Sequence, residues 1–231
     1  MSIADNIKSV KSDIERAAKL SNRDVSAIKL VAVTKTKPIE MLKEARRAGL
    51  FDFGENRPQE IVLKHPEFEG DDINWHLIGQ LQKNKVRHII DKVCLIHSVD
   101  SFDLALEINK RAAAIGKIQD ILIQVNISGE ESKSGAIPDD VPLLCEKISE
   151  LENVRIKGLM TISVRDFSYE QNYELFSQLR ALAQDIKNMG IKNVDMQELS
   201  MGMTHDYEAA IAAGATIIRV GTAIFGERVN Y

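Results

Sequence analysis

The sequence has few cysteines and no long apolar run. Its 231 residues include two cysteines, Cys94 and Cys145, each inside an apolar segment and far from the other along the chain. A disulfide framework or a metal site would need closer or more numerous ligands, so we interpret both as small core residues in a reducing compartment. No segment has the roughly 20 consecutive apolar residues of a membrane-spanning helix, and charged residues interrupt the N-terminal segment, unlike a secretory signal. These absences predict a cytoplasmic protein with no membrane partner.

An excess of charge of one sign is also missing. The 30 basic and 34 acidic residues give a formal net charge of −4, and they are mixed along the chain without a basic stripe. Binding to a nucleic-acid backbone therefore has little electrostatic support. The histidines His76, His97 and His205 lack the i, i+4 spacing of a helical metal pair, so no metal centre is predicted.

The sequence does contain a regular alternation of short β-branched runs with segments of helical periodicity. An amphipathic helix comes first, with apolar residues at spacings of three and four between Ile3 and Ala17. Later helical segments end at Gly116, Gly190 and Gly214, the usual left-handed cap position. The predicted strands are Lys29–Lys35, Phe51–Gly54, Asn74–Ile78, Cys94–Ser98, Ile121–Asn126, Arg155–Met160, Val194–Leu199 and Thr216–Val220.

Strands that alternate with helices favour a parallel sheet joined by right-handed crossovers. Eight such units favour closure into a barrel, which removes both edges of the sheet. The alternative is an open doubly wound sheet, which usually has a G-x-G-x-x-G turn after its first strand, whereas residues 33–38 contain no glycine. We therefore predict an α/β protein built as one (β/α)8 TIM barrel, a single domain over residues 1–231, with an extra N-terminal helix.

In such a barrel, functional residues belong at the carboxyl ends of the strands. The first predicted strand ends at Lys35, on the same face as Val31 and Val33. A lysine that continues an apolar face into a barrel mouth is partly desolvated, which lowers its pKa and makes its amine nucleophilic. A solvated lysine at a strand end is the alternative, and Lys37, next to Pro38, is the nearest rival for the role.

The loops after the last two strands have the composition of a phosphate site. Barrels frequently bind phosphate there, through main-chain amides at the start of a short helix. Ser200, Thr204 and Thr222 supply hydroxyl groups, and Gly221 permits close approach of the main chain. Arg219 lies on the eighth strand just before this loop. The alternation does not decide whether Arg219 points into the barrel or pairs with a carboxylate outside it.

Polar residues also lie on or just after the second, third and fifth strands. Asn56, His76 and Asn126 are candidates for convergence on a ligand at the barrel mouth. Two of them also have an ordinary structural explanation, Asn56 as a helix cap and His76 as a hydrogen-bonded packing residue. Both interpretations stay open on the sequence alone.

Eight short segments follow one another along the chain in a family-specific order. They are 33–35 (VTK), 53–56 (FGEN), 76–85 (HLIGQLQKNK), 126–128 (NIS), 132–135 (SKSG), 158–160 (GLM), 199–203 (LSMGM) and 219–226 (RVGTAIFG). Together they resemble the YggS/PROSC-type pyridoxal phosphate homeostasis proteins. The resemblance covers nearly the whole chain, and no single motif carries it.

The resemblance implies a barrel of the alanine racemase type that binds pyridoxal 5′-phosphate (PLP). It implies a Schiff base on Lys35 and a pyridine nitrogen beside Arg219. The residues implied to lie near the ring are Asn56, His76 and Met201. Those implied to hold the phosphate are Ser200, Thr204, Gly221 and Thr222, with Thr204 at a position where the family is expected to have serine.

The implied arginine also bears on function. A guanidinium beside the pyridine nitrogen disfavours protonation of that nitrogen, which weakens the cofactor as an electron sink. Alanine racemases tolerate this arginine but add a second domain whose tyrosine serves as the opposite base, whereas this sequence ends at Tyr231, right after the predicted barrel. We therefore expect a carrier that holds PLP in intracellular vitamin B6 and amino-acid homeostasis, with no catalytic residue.

Two alternatives remain on the sequence alone. The first is a PLP-dependent amino-acid racemase that uses Lys35 as one base. The second is a barrel aldolase whose lysine attacks a sugar-phosphate carbonyl, and this protein would be colourless where the others are yellow. The partners implied by the resemblance are PLP and, as acceptors, the apo forms of PLP-dependent enzymes, and the family suggests a monomer.

Overall fold

The computed structural model describes residues 2–130 and 133–227, and Ser132 and Tyr231 lie outside these ranges. In the described part of the chain, eight parallel strands close into a barrel in their sequence order. The strands are β1 (Lys29–Val33), β2 (Asp52–Glu55), β3 (Asn74–Leu77), β4 (Val93–Val99), β5 (Gln119–Gln124), β6 (Val154–Met160), β7 (Val194–Ser200) and β8 (Ile217–Val220). The predicted barrel is confirmed, and the alternative of an open sheet is wrong.

Helices precede, connect and follow the strands. They are α1 (Ile3–Leu20), α2 (Ile39–Arg47), α3 (Pro58–Lys64), α4 (Phe102–Ala113), α5 (Val141–Ser149), α6 (Tyr169–Asn188), α7 (Tyr207–Ala213) and α8 (Thr222–Phe225). A 3-10 segment, Lys83–His88, lies between β3 and β4. The predicted left-handed positions are confirmed, with φ of +65° at Gly116 and Gly190 and +112° at Gly214.

The predicted N-terminal helix is confirmed as α1. Ser2 and Asp5 form a capping box that satisfies main-chain donors at its start. The apolar stripe of α1 is buried, and the helix packs against α2, α7 and α8. Burial of one large aliphatic side chain stabilises a protein by roughly 1.5–3 kcal/mol. The stripe therefore fixes α1 to the side of the barrel where the first and last strands meet.

Every strand end agrees with the prediction to within two residues. The difference that matters is at β1, which ends at Val33 rather than at Lys35. The main-chain N–H of Lys37 donates to the carbonyl oxygen of Thr34 at 3.1 Å, and Thr36 has a left-handed φ of +62°. Lys35 therefore lies in a tight turn at the mouth of the barrel rather than in the strand.

Apolar residues form two separate buried clusters, because successive side chains of a strand point to opposite faces. The larger cluster joins the outer faces of the strands to the helices. The smaller one fills the interior of the barrel, and its members are Val31, Leu95, Leu122, Met160 and Ile217. Polar side chains of β3, β4, β7 and β8 also point inward, and they determine the chemistry of the site.

Both cysteines are free thiols, but only one lies in the core. Cys145 is buried as predicted, whereas the prediction for Cys94 is wrong because its residue is exposed. Cys94 is the second residue of β4, at the N-terminal rim of the barrel where the strand has only begun to enter the core. Its thiol donates to the carbonyl oxygen of Trp75 at 3.3 Å.

None of the helices in the described ranges is both long and apolar enough to cross a bilayer. Within the same ranges, no group of three or more His, Cys, Asp or Glu side chains is gathered as a metal site.

Candidate functional site

A cavity of about 280 Å³ opens at the carboxyl ends of the strands, where the functional sites of such barrels lie. Its volume is near the lower end of the ~300–1,000 Å³ range of small-molecule sites. The sequence-predicted residues in its lining are Lys35, Asn56, Asn126 and Arg219. The fold thus brings together side chains from β1, β2, β5 and β8 or from the loops that follow them.

The turn that carries Lys35 is tied to a buried ion-pair cluster formed by β2 and α3. The ammonium group of Lys64 lies 2.7 Å from a carboxylate oxygen of Glu55 and 2.9 Å from one of Glu60. It also donates to the main-chain oxygen of Thr34 at 2.9 Å. Burial raises the pKa of Glu55 to about 7, although Lys64 beside it favours the charged form.

The same cluster holds the other side of the turn. The main-chain N–H of Thr36 donates to a carboxylate oxygen of Glu60 at 2.7 Å. A left-handed φ at a threonine costs conformational energy, which the surrounding contacts must supply. Both chain neighbours of Lys35 are therefore held by side chains of the cluster, and Lys35 projects from a fixed turn.

Two further lysines lie near the mouth. Lys37 donates to the carbonyl oxygens of residues 225–227 at distances of 3.1, 2.9 and 3.0 Å, and so ties the β1 turn to the end of α8. Lys133 lines the cavity, with its ammonium group 3.2 Å from Glu130 and 3.2 Å from the carbonyl oxygen of Ser163. Of these three lysines, Lys35 and Lys133 line the cavity, whereas Lys37 does not.

Asn56 reaches the cavity because the loops after β2 and β3 approach each other closely. A Cβ atom on Gly79 would lie 2.3 Å from the main-chain oxygen of Asn56, so a larger residue does not fit there. The N-cap of α3 is Arg57. The interpretation of Asn56 as a helix cap is therefore wrong.

Arg219 points into the barrel and contributes to the cavity lining, so its alternative position outside the barrel is wrong. Only 4% of the residue is exposed. Its guanidinium donates to the hydroxyl of Ser200 and, at 2.9 Å, to the carbonyl oxygen of Thr161. Burial lowers the pKa of Arg219 to about 10, so the group keeps its charge at neutral pH. The cavity therefore has a buried cation in its wall whose two hydrogen-bond acceptors are neutral.

Ser200 and Met201 lie outside the cavity lining described above. The Ser200 hydroxyl is fully buried between Arg219 and Nδ1 of His97, which is 2.8 Å away. Met201 points to the opposite face and belongs to the larger apolar cluster. Met203, two residues further on, is the methionine that lines the cavity.

The predicted phosphate loops come together beside the cavity. The hydroxyl groups of Thr204 and Thr222 are 3.1 Å apart. Gly221 is the N-cap of α8, and a Cβ atom there would lie 3.3 Å from the side chain of Val33. Val33 lines the cavity, and so does Met203 of the loop after β7. Two hydroxyls and the start of a helix therefore converge at one edge of the mouth.

His76 is buried inside the barrel, with only 1% of the residue exposed. Its Nε2 atom is 3.0 Å from a carboxylate oxygen of Asp52, and its Nδ1 atom is 3.0 Å from Nε2 of His97. The interpretation of His76 as a hydrogen-bonded packing residue is confirmed by these contacts.

Sequence reasoning missed the residues that support the site from behind. Lys64 and Glu60 stand at an i, i+4 spacing, which is a visible signal for an ion pair on a helix. His97 shares the alternation of the inward-pointing Leu95 and is also visible as a candidate interior residue. Nothing in the sequence indicates that Asp52 meets His76.

Comparison with known proteins places this geometry in a family. Residues 6–229 match the family model described as alanine racemase, N-terminal domain. The pyridoxal phosphate homeostasis protein of Aquifex aeolicus (strain VF5) is 42% identical over 228 residues, which cover 99% of each chain. The structure of PipY from Synechococcus elongatus PCC7942 with PLP bound has a TM-score of 0.82 and 37% identity, covering 92% of this chain and 99% of that one.

A more distant likeness concerns the fold alone. Alanine racemase of Clostridium difficile 630 has a TM-score of 0.72 at 16% identity, and the match covers 95% of this chain but 57% of the racemase. The close relatives, by contrast, match from end to end. The chain therefore belongs to the alanine racemase N-terminal domain family and, within it, to the pyridoxal phosphate homeostasis proteins.

Proposed function

We propose that this protein binds PLP in the cavity at the barrel mouth, as a Schiff base on Lys35, and acts as a carrier in intracellular PLP and amino-acid homeostasis. The observation that carries the proposal is that Lys35 and Arg219 line the same cavity. An amine and a buried guanidinium match two polar features of the cofactor, its aldehyde and its pyridine nitrogen. We further propose that residues 1–231 form one domain.

The phosphate of the cofactor also has a matching donor set. The hydroxyls of Thr204 and Thr222, 3.1 Å apart, and the first amides of α8 form a group of donors, since the first N–H groups of a helix have no partner within it. We assign the phosphate to Thr204, Gly221 and Thr222. Ser200 supports the proposed site from below, through its hydrogen bond with Arg219.

The bound cofactor supplies an electrophilic aldehyde and a conjugated ring that accepts electrons. The chain's own residues restrain that chemistry. Arg219 is a charged donor that disfavours a proton on the pyridine nitrogen, and the ion-pair cluster of Lys64 holds the turn of Lys35. A site of this kind favours holding the cofactor over turning over amino acids.

The names of the relatives support the homeostatic role. Proteins called pyridoxal phosphate homeostasis protein match this chain over almost its whole length, and PipY has a structure with PLP bound. For this chain we propose PLP as the ligand and apo forms of PLP-dependent enzymes as acceptors, in the cytoplasm, with a monomer as the working form.

An absorption spectrum of the purified protein, before and after borohydride reduction, tests the proposal. A yellow imine band is expected to disappear on reduction, and the modified peptide is expected to contain Lys35. Lys133→Ala is the matched control, because Lys133 lines the same cavity, and it should keep the band that Lys35→Ala loses. A colourless protein that binds no added PLP would refute the proposal and favour the aldolase. Reduction that labels Lys133 would refute the assignment of Lys35.

A further inference from the structure

A chain of buried polar side chains crosses the barrel interior beneath the cavity. It begins at Asp52, the first residue of β2, and continues through His76 of β3 and His97 of β4. It then passes to Ser200 of β7 and ends at Arg219 of β8. Because β4 and β7 are not neighbours in the sheet, the contact between His97 and Ser200 spans the interior. These five side chains, which we call the relay, thus connect the N-terminal end of the barrel to the cavity wall.

The middle of this relay is sealed from solvent. His97 and Ser200 are fully buried, and only 1% of His76 is exposed. Every ring nitrogen of the two histidines has a polar partner at 2.8 to 3.0 Å. Donors and acceptors in such a closed chain must alternate, since a buried polar group without a partner is costly. The protonation of one member therefore constrains the next.

Two hydrogen-bonding patterns fit the distances between the histidine rings and their partners. When His76 is neutral, Ser200 donates to Nδ1 of His97, His97 donates from Nε2 to His76, and His76 donates to Asp52. When His76 carries a second proton, it donates to both Asp52 and His97. His97 then accepts at Nε2 and donates from Nδ1 to Ser200. The two patterns differ in the tautomer of His97 and in the direction of its bond with Ser200.

The surroundings decide which histidine changes charge. Burial, with the positive charges of His76, Arg219 and Lys29 nearby, holds the pKa of His97 well below its usual range, so His97 stays neutral in both patterns. Burial also disfavours a charged His76, but hydrogen bonds to Asp52 and to Cys94 outweigh it and raise the pKa of His76 to about 9.

We propose that Asp52, His76 and His97 are positioning residues that set the hydrogen-bonding state of Ser200 and, through Ser200, the hold on Arg219 in the cavity wall. A hydroxyl that donates to a histidine becomes a better acceptor, because chains of hydrogen bonds polarise one another. Ser200 therefore holds the guanidinium more strongly when His76 is neutral. The last step, from Arg219 to a bound cofactor, rests on the proposed function.

Nitrogen-15 NMR of the histidine rings in the cofactor-free protein tests the relay directly. Signals are assigned with His65→Gln, His88→Gln and His205→Gln. As the pH rises, the ring proton of His97 is expected to move from Nδ1 to Nε2 over the same interval in which His76 loses its second proton. Asp52→Asn keeps an acceptor oxygen but removes the charge. It should lower both midpoints, that of His76 deprotonation and that of the His97 tautomer change, together by about one to three pH units.

Asp120→Asn is the matched control. Asp120 also lies near the N-terminal end of its strand and pairs with Arg155 outside the relay, so its replacement should leave both midpoints near their original pH. A His97 that keeps one tautomer while His76 titrates overturns the proposal, and so does a shift of one midpoint without the other. Should Asp52→Asn not fold, the pH titration of the unaltered protein still decides between these outcomes.

The PLP-loaded protein tests the connection to the cavity. Its absorption band is expected to titrate with the midpoint of His76, to follow that midpoint in Asp52→Asn, and to stay unchanged in Asp120→Asn. Ser200→Ala should uncouple the band from His76 while His76 itself still titrates. A band that never follows His76 overturns the step from Ser200 to Arg219. A protein that binds no PLP overturns the proposed function, and the NMR result still judges the relay.

Discussion

Lys64 donates a hydrogen bond to the main-chain oxygen of Thr34 at 2.9 Å, one residue before Lys35. The same ammonium group neutralises Glu55, a carboxylate with no exposed surface. One buried side chain thus supports the turn of the proposed Schiff-base lysine and pairs with a charge behind it. Removal of Lys64 would affect both folding and the position of Lys35.

We expect Lys64→Met to destabilise the fold by about 1–3 kcal/mol, because it leaves buried acceptors of Glu55 and Thr34 without their donor. Urea unfolding measures the change. The double variant Lys64→Met with Glu55→Gln should recover part of the loss, since a neutral amide does not need the ammonium group as its partner. Lys43→Met is the control, because Lys43 pairs with Glu67 on the surface and should change stability by no more than ~1 kcal/mol. A loss as large in the double variant as in the single one would contradict the prediction.

The pH dependence of stability should carry a contribution from Glu55. Burial raises its pKa from 4.5 to about 7. Between these two pH values, Glu55 is therefore largely protonated in the folded protein and largely ionised in the unfolded chain. Glu55 therefore contributes to the free energy of unfolding below about pH 4.5, and this contribution is lost as the pH rises to about 7.

Glu55→Gln tests this linkage, because glutamine does not titrate. The free energy of unfolding of the unaltered protein, relative to Glu55→Gln, should fall between pH 5 and pH 8. The difference between the unaltered protein and Glu67→Gln, which alters a surface carboxylate, should show no such trend. Parallel curves for the unaltered protein and Glu55→Gln across this interval would count against a raised pKa at Glu55.

The fold was largely predictable because strand and helix periods are local signals. All eight strands were found to within two residues, and eight alternating units leave few topologies other than a barrel. The mouth position of Lys35 followed from the rule that functional residues lie at the carboxyl ends of strands.

The site was less predictable because it depends on side-chain direction and on contacts between distant strands. Met201 and Met203 have the same parity in the strand alternation, and both follow the end of β7 at Ser200, so the sequence does not decide which one reaches the cavity. The inward direction of Arg219 was equally undecided. The pairing of Asp52 with His76 joins two strands through a register that the sequence does not display.

Thr222→Val tests the proposed phosphate site. A hydrogen bond to a charged group contributes roughly 1.5–3 kcal/mol, so the affinity for PLP should fall by about 10- to 100-fold. Pyridoxal, which lacks the phosphate, should bind more weakly to the unaltered protein and respond little to the substitution. Titration of both ligands against both proteins measures this difference. An equal loss of affinity for pyridoxal would show that Thr222 does not contact the phosphate.

Amino-acid racemisation is the activity that separates a carrier from an enzyme, and we expect none above that of free PLP. The titratable side chains in the described lining of the cavity are Lys35, Lys133 and Arg219. Lys133 is engaged by Glu130 and by the carbonyl oxygen of Ser163, which leaves it poorly placed as a second base.

The lack of one general acid–base partner typically lowers a rate by about 10²- to 10⁴-fold. Incubation of the PLP-loaded protein with single enantiomers of alanine and other amino acids, followed by chiral chromatography, measures the rate directly. Lys35→Ala with added PLP gives the background. Saturable racemisation that Lys35→Ala abolishes would make this protein an enzyme rather than a carrier. A lower rate in Lys133→Ala would then identify Lys133 as the second base.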